Sequence, residues 1–328
     1  MPVLCILPHL VLAQPAPAEP VMSPPQSLLA AMASAYRNLD YQGRFLYTYG
    51  NELSTLEIRH AVIEGVEYER LTHLSGPVAE LIRADDQVIC VHSDRSMTRL
   101  SASTALAPLG ISGPMAGQLP RQYNVLLDGD GRVAGRAALR MRVNPLDEHR
   151  YGYRLWIDRD SNLLLKSEMV DAKGVALERL EFLALDVGTQ VARSDFDVPG
   201  AVLRHAIEPL PEPAPKPPQL EAGWLPAGFV AVQGDLRRSA PHRLPVAATA
   251  YGDGLASFTL FLQPIPAGVP AEEGVSRLGP TVAISRRMAA GNNENYLVTL
   301  VGEVPQATAE RVLSEMRLPG TAVGATLH

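Results

Sequence analysis

Alternation of apolar and polar residues with a period of two dominates the chain from Tyr41 onward. The stretch "YQGRFLYTYGN" places Phe45, Tyr47 and Tyr49 on one face of a strand. Similar segments follow, and the short turns between them force antiparallel neighbours. They cover residues 55–63, 66–74, 78–83, 87–92, 136–143, 151–157, 163–171 and 176–185. The pattern predicts a large antiparallel sheet, and a sheet this long curls to give a concave face.

A helix is predicted immediately before this sheet. Ser23 suits the N-cap, Pro24 suits the first helical position, and apolar residues then recur at helical spacing from Leu28 to Leu39. We expect the helix to end near Leu39 and to pack on the sheet.

A second unit follows the proline-rich stretch "EPLPEPAPKPPQ", whose composition favours a semi-rigid spacer. Strands are predicted at 246–251, 255–262, 281–288 and 296–301, with "YGDG" as a tight turn and a helix that starts at Pro305. The predicted organisation is an N-terminal segment 1–22, a first domain 23–205, a linker 206–222, a second domain 223–318 and a tail 319–328.

Composition narrows the class of protein. The 328 residues are 46% hydrophobic and 20% charged, with a formal net charge of −6, which suits a soluble globular protein and argues against a general nucleic-acid binder. The apolar run from Val3 to Leu12 and the following Pro/Ala-rich segment are typical of a secretory signal with cleavage after Ala13. The alternative is a soluble N-terminal segment, because the basic residues that open such a signal are missing. Cys90 would then remain alone, so no disulfide framework is expected.

Motifs for catalysis or metal binding are missing from the sequence. "DGDGR" at Asp128 and "DRDSN" at Asp158 resemble the start of a calcium loop, but both lack the Gly and Glu that such loops need at positions six and twelve. They are interpreted as acidic β-turns. No catalytic residue, metal or cofactor is predicted, and a hydrolase lacks a candidate nucleophile and base. The balance favours a binding protein that is not an enzyme.

Several long stretches, in order, resemble the MucB/RseB family of periplasmic regulators of the envelope-stress sigma factor. They are "YQGRFLYTYGNELSTLEIRHAV", "EYERLTHLSGPVAELIR", "RYGYRLWIDRDSNLLLKSEMVDAKGVALERLEF" and "NNENYLVTLVGEVPQATAERV". The resemblance implies an α+β, mainly antiparallel β fold. A large half-open β-barrel, similar to lipoprotein carriers, would precede a smaller α+β domain.

The resemblance also implies a function in the periplasm. The second domain, helped by the first, would grip the periplasmic segment of a membrane-spanning anti-sigma factor and shield it from regulated proteolysis. Lipid or lipopolysaccharide would release the regulator from the anti-sigma factor. Members of such a family can also self-associate. The alternative is a periplasmic lipid or lipoprotein carrier, which leaves the second domain without a role.

Residues with apolar side chains on the predicted concave face are candidates for a lipid cavity, because such a cavity needs apolar walls and gains about 0.8 kcal/mol per buried methylene. They are Phe45, Tyr47, Tyr49, Leu56, Ile58, Leu81, Leu155, Ile157 and Leu164. The alternative is that the same residues pack on the preceding helix, since every sheet needs a core face.

Candidates for partner binding lie in the second unit, where a peptide could dock as an added strand or helix. They are Trp224, Arg286, Arg287, Asn292, Asn293, Asn295 and Tyr296. The alternatives are a core tryptophan at the domain edge and a solvated turn.

Overall fold

The structure is a computed structural model that describes most of the chain. It covers residues 25–76, 79–84, 87–92, 94, 96–101, 121–197, 202–206, 220–239, 244–266, 268–290 and 294–318. The predicted signal segment, nearly all of the predicted linker and the predicted tail lie outside these residues. Below, residues 25–206 are called the N-terminal unit and residues 220–318 the C-terminal unit.

The N-terminal unit is built on a twelve-stranded sheet in the order β12-β6-β5-β4-β3-β2-β1-β11-β10-β9-β8-β7. The strands are β1 (Tyr41–Tyr49), β2 (Glu52–Ile63), β3 (Val66–His73), β4 (Glu80–Ala84), β5 (Gln87–Val91), β6 (Ser96–Ser101), β7 (Tyr123–Val133), β8 (Arg136–Pro145), β9 (Gly152–Asp158), β10 (Leu164–Val170), β11 (Ala176–Val187) and β12 (Val202–Ala206). Only the β12–β6 pair is parallel among these strands. Within the described residues the end strands β12 and β7 do not pair, so the sheet is open. The predicted large, half-open antiparallel architecture is confirmed.

Helix α1 (Pro25–Asn38) packs on one face of this sheet. Its Leu28, Leu29 and Met32 side chains are buried with residues of β7 to β9, such as Met141 and Leu155. Full burial of a side chain of this size contributes about 1.5–3 kcal/mol, so this contact stabilises the helix far more than its intrinsic propensity does. The helix therefore packs on the sheet, as the sequence predicts.

Strand β1 occupies the centre of the sheet, between β2 and β11. Phe45 lies opposite Leu56 of β2 and Phe182 of β11, next to a register shift between Arg44 and Phe45. Gly43 precedes the shift, and a Cβ there would lie 2.7 Å from the Phe182 ring. A glycine at this position therefore lets the large aromatic side chain fill the core.

The interpretation of "DGDGR" as a turn is wrong. These residues belong to β7, which pairs with β8 and carries a register shift between Leu127 and Asp130. Gly129 lies in the shifted segment with a φ of 84°, a conformation that glycine tolerates. Acidic residues and glycines disfavour strands, and the bulge explains why they occur within one. In "DRDSN", by contrast, Asp158 ends β9 and accepts a hydrogen bond from the Ser161 amide, as in an acidic turn.

The C-terminal unit is a six-stranded antiparallel sheet in the order β14-β15-β16-β19-β18-β17, with one helix. Its elements are β13 (Glu221–Ala222), β14 (Val230–Ser239), β15 (Leu244–Gly252), β16 (Ser257–Pro264), β17 (Gly274–Leu278), β18 (Thr281–Ala289), β19 (Asn295–Gly302), α2 (Gln306–Ser314) and β20 (Met316–Arg317). Ala309, Val312 and Leu313 of α2 are buried against β16, β18 and β19. This is the predicted smaller α+β unit, although its strands β14 and β17 were missed. Across the described residues, no helix has the length and apolarity to cross a membrane.

Candidate functional site

The two units meet at a junction that β1, β7, β9, β11 and the β8–β9 connection form on one side. Turns and strand ends of the C-terminal unit form the other side. At the centre of the junction is Arg150, whose side chain has no exposed surface. It forms ion pairs with Asp147, at 3.0 Å, and with Asp253 of the C-terminal unit, whose side chain is equally buried. It also donates a 2.8 Å hydrogen bond to the carbonyl of Ala227. The guanidinium thus joins the units through three acceptors, which satisfies a charge that would be costly to bury alone.

Aromatic rings enclose the same guanidinium. The Tyr123 ring of the N-terminal unit lies 5.5 Å from it and the Phe229 ring of the C-terminal unit lies 5.3 Å from it. Rings at this distance add cation–π attraction and exclude water. Tyr123 also donates a 3.1 Å hydrogen bond to Asp253, and burial, followed by the Asp253 charge, raises the pKa of its hydroxyl.

Asp253 belongs to the "YGDG" turn between β15 and β16. Its carboxylate accepts hydrogen bonds from the amides of Leu255, at 2.9 Å, and Ala256, at 2.8 Å. Leu255 in turn packs against the core beneath α1 in the N-terminal unit, and its carbonyl accepts a 3.4 Å bond from the Tyr153 hydroxyl. One carboxylate therefore fixes both the hairpin turn and its contact with the other unit.

Trp224 contributes to the junction as well. The Arg311 guanidinium of α2 lies 3.8 Å from the centre of its ring, and His149 of the N-terminal unit meets the ring edge-on at 5.0 Å. The tryptophan is half-buried against the core of the C-terminal unit. These contacts agree with the alternative of a core tryptophan at the domain edge, and its role in partner binding stays a prediction.

A second part of the junction is acidic. Glu178 of β11 is hydrogen-bonded to Tyr47, and Glu303, just beyond β19, is hydrogen-bonded to Tyr49. Burial, and then the nearby Glu303 carboxylate, raise the pKa of Glu178 to about 7. Burial also raises the pKa of Glu303. Two carboxyl groups that share a half-buried site disfavour double ionisation.

Two glycines bring the backbones of the units together beside this acidic pair. A Cβ on Gly50 would lie 2.9 Å from the Gly279 nitrogen, and a Cβ on Gly279 would lie equally close to the Gly50 nitrogen. Both residues have positive φ, 59° and 55°. Next to them, the hydroxyls of Tyr49 and Thr281 are hydrogen-bonded. Larger residues at either glycine would separate the units at this point.

The lipid-cavity candidates have four different surroundings. Phe45, Leu56 and Ile58 are buried in a core that includes Ala35 of α1. Another core, beneath Leu28 to Met32 of α1, contains Leu155, Ile157 and Leu164. Leu81 is half-buried opposite Leu71, whereas Tyr47 and Tyr49 stack at 6.0 Å beside the acidic pair. The cores match the alternative in which these residues pack on the helix, and the lipid cavity stays a prediction.

A charged cluster on the same face was missed by the sequence analysis. His60, Glu69 and Arg83 lie side by side on β2, β3 and β4, and Tyr36 of α1 donates a 2.6 Å hydrogen bond to Glu69. Burial raises the pKa of Glu67, but hydrogen bonds from His60 and Arg83 outweigh it and lower the pKa to about 2. This face of the sheet is therefore charged in this region, and the region lacks the apolar walls that the predicted lipid cavity needs.

The remaining partner-binding candidates have different surroundings. Arg286 is exposed on β18, and Arg287 donates a 2.8 Å hydrogen bond to the Ala271 carbonyl. Asn295 is exposed at the start of β19, while Asn292 and Asn293 lie outside the described residues.

Tyr296 is buried in the core of the C-terminal unit. Its hydroxyl donates a 2.6 Å hydrogen bond to Glu294, and burial raises its pKa to about 12. The residue is therefore a poor candidate for direct partner contact.

An added strand cannot pair with β18, because β17 and β19 occupy its two edges. Strand β17 is the edge on this side, and within the described residues its outer edge is unpaired. Val275 and Leu278 of β17 are 54% and 50% exposed. An apolar edge strand of this kind is a template for strand addition.

Two family models match consecutive parts of the chain. The MucB/RseB N-terminal domain matches residues 24–199, and the MucB/RseB C-terminal domain matches residues 214–317. The chain belongs to the MucB/RseB family. The chain is 38% identical to the sigma factor AlgU regulatory protein MucB of Pseudomonas aeruginosa over 290 residues, which cover 88% of this chain and 89% of that protein. The sigma-E factor regulatory protein RseB of Escherichia coli K12 is 25% identical over 295 residues, 89% of this chain and 90% of that protein.

Solved structures of a family member are similar over nearly the whole chain. A crystal structure of MucB in complex with MucA(peri) has a TM-score of 0.73 and 34% identity, and covers 91% of this chain and 100% of that one. A crystal structure described as MucB has a TM-score of 0.61 and 32% identity, and covers 89% of this chain and 97% of that one. The named relatives are regulatory proteins.

The junction residues are what sequence reasoning missed in this family member. Arg150 and Asp253 are separated by 103 residues, and Asp253 was interpreted only as part of a turn. One signal was available in the sequence. Arg150 directly precedes the strand segment "YGYRLWI", and a charged residue next to such an apolar segment is a candidate for a buried ion pair. No comparable signal marks Glu178 or Glu303.

Proposed function

We propose that this protein is a periplasmic negative regulator of an envelope-stress response of the sigma-E type. It binds the periplasmic segment of a membrane-spanning anti-sigma factor, protects that segment from regulated proteolysis, and is released by lipid or lipopolysaccharide. It acts by binding and not as an enzyme. The observation that carries the proposal is the 0.73 TM-score, over 91% of the chain, to MucB in a structure that also contains MucA(peri).

The junction supports a role for both units in binding. Its buried ion pair and stacked rings hold the units in a defined arrangement, which a partner that contacts both units requires. The similarity is greater to the MucA(peri) complex than to the structure described as MucB, with TM-scores of 0.73 and 0.61.

We place one contact of the partner at the outer edge of β17. An extended periplasmic segment would form main-chain hydrogen bonds there and cover Val275 and Leu278, which are otherwise exposed. Arg286, exposed on the neighbouring β18, would supply charge to the same segment.

Calorimetry tests the proposed function. The full chain is titrated with a peptide that spans the periplasmic segment of the anti-sigma factor from the same organism, with a scrambled peptide as control. We expect saturable binding that weakens when lipopolysaccharide is added. Lipopolysaccharide uptake without peptide binding would instead favour the carrier alternative, and binding of neither would leave both proposals without support.

A matched pair of variants tests the β17 contact. Val275→Glu places a charge on this edge, and Val230→Glu places one on β14, the opposite edge of the sheet, where the valine is also 54% exposed. We expect Val275→Glu to weaken peptide binding about tenfold, or 1.4 kcal/mol, while Val230→Glu has little effect. Equal affinities for the two variants would rule out this contact.

A further inference from the structure

The acidic pair at the junction lacks a counter-charge. Glu178 and Glu303 come from different units, and each is hydrogen-bonded to a tyrosine of β1. Across the described residues, neither carboxylate forms an ion pair with a lysine or arginine. Arg150 and Asp253 elsewhere in the junction are, by contrast, fully paired.

The surroundings of the pair are neutral or acidic. Tyr47, Tyr49, Tyr151 and Tyr153 of the N-terminal unit face the pair. Among the charged groups around these tyrosines, Asp171 and Arg277 act on Tyr151, and Asp253 acts on Tyr153. Burial raises the pKa of all four tyrosines, so they are uncharged near neutral pH. Arg277 acts on Tyr151, and its side chain donates to the Gly279 carbonyl and not to either glutamate. The phenols can stabilise a carboxylate by hydrogen bonding, but they cannot balance two negative charges.

Docking the units creates this environment. In separated units both carboxyl groups would face water, whereas in the docked state they lie half-buried beside each other. Desolvation and like-charge repulsion then both favour a proton on the pair.

We propose that docking of the two units is linked to proton uptake by the Glu178–Glu303 pair, so that acid closes the junction and alkali loosens it. The Arg150 part of the junction, whose ion pair with Asp253 joins the units, acts as the fixed contact. The proposal does not depend on the identity of the partner or of any lipid.

The sign follows from the directions of the two pKa shifts. Burial raises the pKa of Glu178 in the docked state to about 7 and also raises the pKa of Glu303. In separated units both return to the ordinary value of about 4.3. A group whose pKa is raised by docking contributes stability that is complete below its ordinary value and is lost as the pH rises through its docked value. The docking equilibrium therefore weakens between about pH 5 and about pH 8.

Distances between spin labels on the two units provide the test. Lys173→Cys and Glu272→Cys place labels at exposed positions of the N- and C-terminal units. Cys5→Ala and Cys90→Ala remove the two native thiols of the full chain. Full-chain protein is measured at about pH 5 and about pH 8, and we expect the ratio of separated to docked molecules to rise about tenfold or more at the higher pH.

Three glutamine variants isolate the cause. The double variant Glu178→Gln with Glu303→Gln should keep the short distance between the labels at both pH values. Glu178→Gln alone should remove most of the pH dependence. Glu181→Gln is the matched control, because Glu181 lies on the same strand but pairs with Lys166, and should behave as the unsubstituted chain does.

Two results would overturn the proposal. One is the same distance distribution at both pH values in the unsubstituted chain. The other is a pH-dependent change that persists in the double glutamine variant, because it would assign the titration to other groups.

Discussion

The two parts of the junction bury charge in opposite ways. Around Arg150, a cation meets Asp147, Asp253 and a carbonyl, and the side chains of Arg150 and Asp253 are fully buried. Around Glu178 and Glu303, two acids are hydrogen-bonded to tyrosines and are half-buried. The first part therefore pairs its charges within the junction, whereas the second part leaves two like charges side by side.

One interface can therefore be both specific in its geometry and adjustable in its strength. A buried, multiply hydrogen-bonded ion pair imposes geometry, because removal of one member leaves the other uncompensated. A pair of acids without a cation instead makes the strength of the contact depend on the proton concentration. The Arg150 part would keep the units in one orientation, and the Glu178–Glu303 part would let the pH change how firmly they dock.

The largest effect should come from Arg150→Met. It leaves Asp253 buried without its cation, and we expect a loss of about 3–5 kcal/mol in the free energy of unfolding, measured by urea denaturation of the full chain. Arg142→Met is the control, since Arg142 is 47% exposed and pairs with Asp128 at 3.2 Å. The control should lose less than about 1 kcal/mol. Equal losses would contradict the central role of Arg150.

A smaller effect is expected from Asp253→Asn. The amide oxygen can still accept from the Leu255 and Ala256 amides, so the turn persists, but the charge opposite Arg150 is lost. We expect the free energy of unfolding to fall by about 1–3 kcal/mol in urea denaturation. The loss should shrink sharply in an Arg150→Met background, because the two residues act as one pair. Simple additivity of the two losses would count against the pair.

The smallest effect is expected from Tyr49→Phe, which tests the acidic part. The change removes the hydroxyl bonded to Thr281 and to Glu303, and should cost about 1 kcal/mol. Because the Tyr49 hydrogen bond lowers the pKa of Glu303, its loss should raise that pKa further and shift separation of the spin-labelled units to higher pH. Tyr68→Phe is the control, because Tyr68 packs against Phe196 within the N-terminal unit. A shift to lower pH would contradict the assignment.

Local pattern was enough to predict much of the fold. Alternation identified strands such as β1 and β2, and helical spacing identified α1 and α2, because each of these elements has one buried face. The pattern failed at β7, where a bulge accommodates Asp128 and Gly129. It also failed at β17. All residues of this strand are exposed, so the strand has no buried face that would require alternating apolar and polar residues.

The contacts at the junction could not be predicted from local sequence patterns for a different reason. Arg150 meets Asp253, and Tyr49 meets Thr281, only after both sheets have formed. Nothing in the residues adjacent to either member of these pairs indicates the other. The family resemblance implied a large open sheet followed by a smaller α+β unit, as the fold shows, but it could not predict which side chains join them.

The most direct test of the proposed regulator is the rate at which the first protease of the cascade cleaves the periplasmic segment of the anti-sigma factor. Cleavage is followed with the segment alone, with the full chain added, and with both the chain and lipopolysaccharide. We expect the chain to slow cleavage and lipopolysaccharide to restore the rate of cleavage. An unchanged rate of cleavage when the chain is in excess would contradict the proposed function.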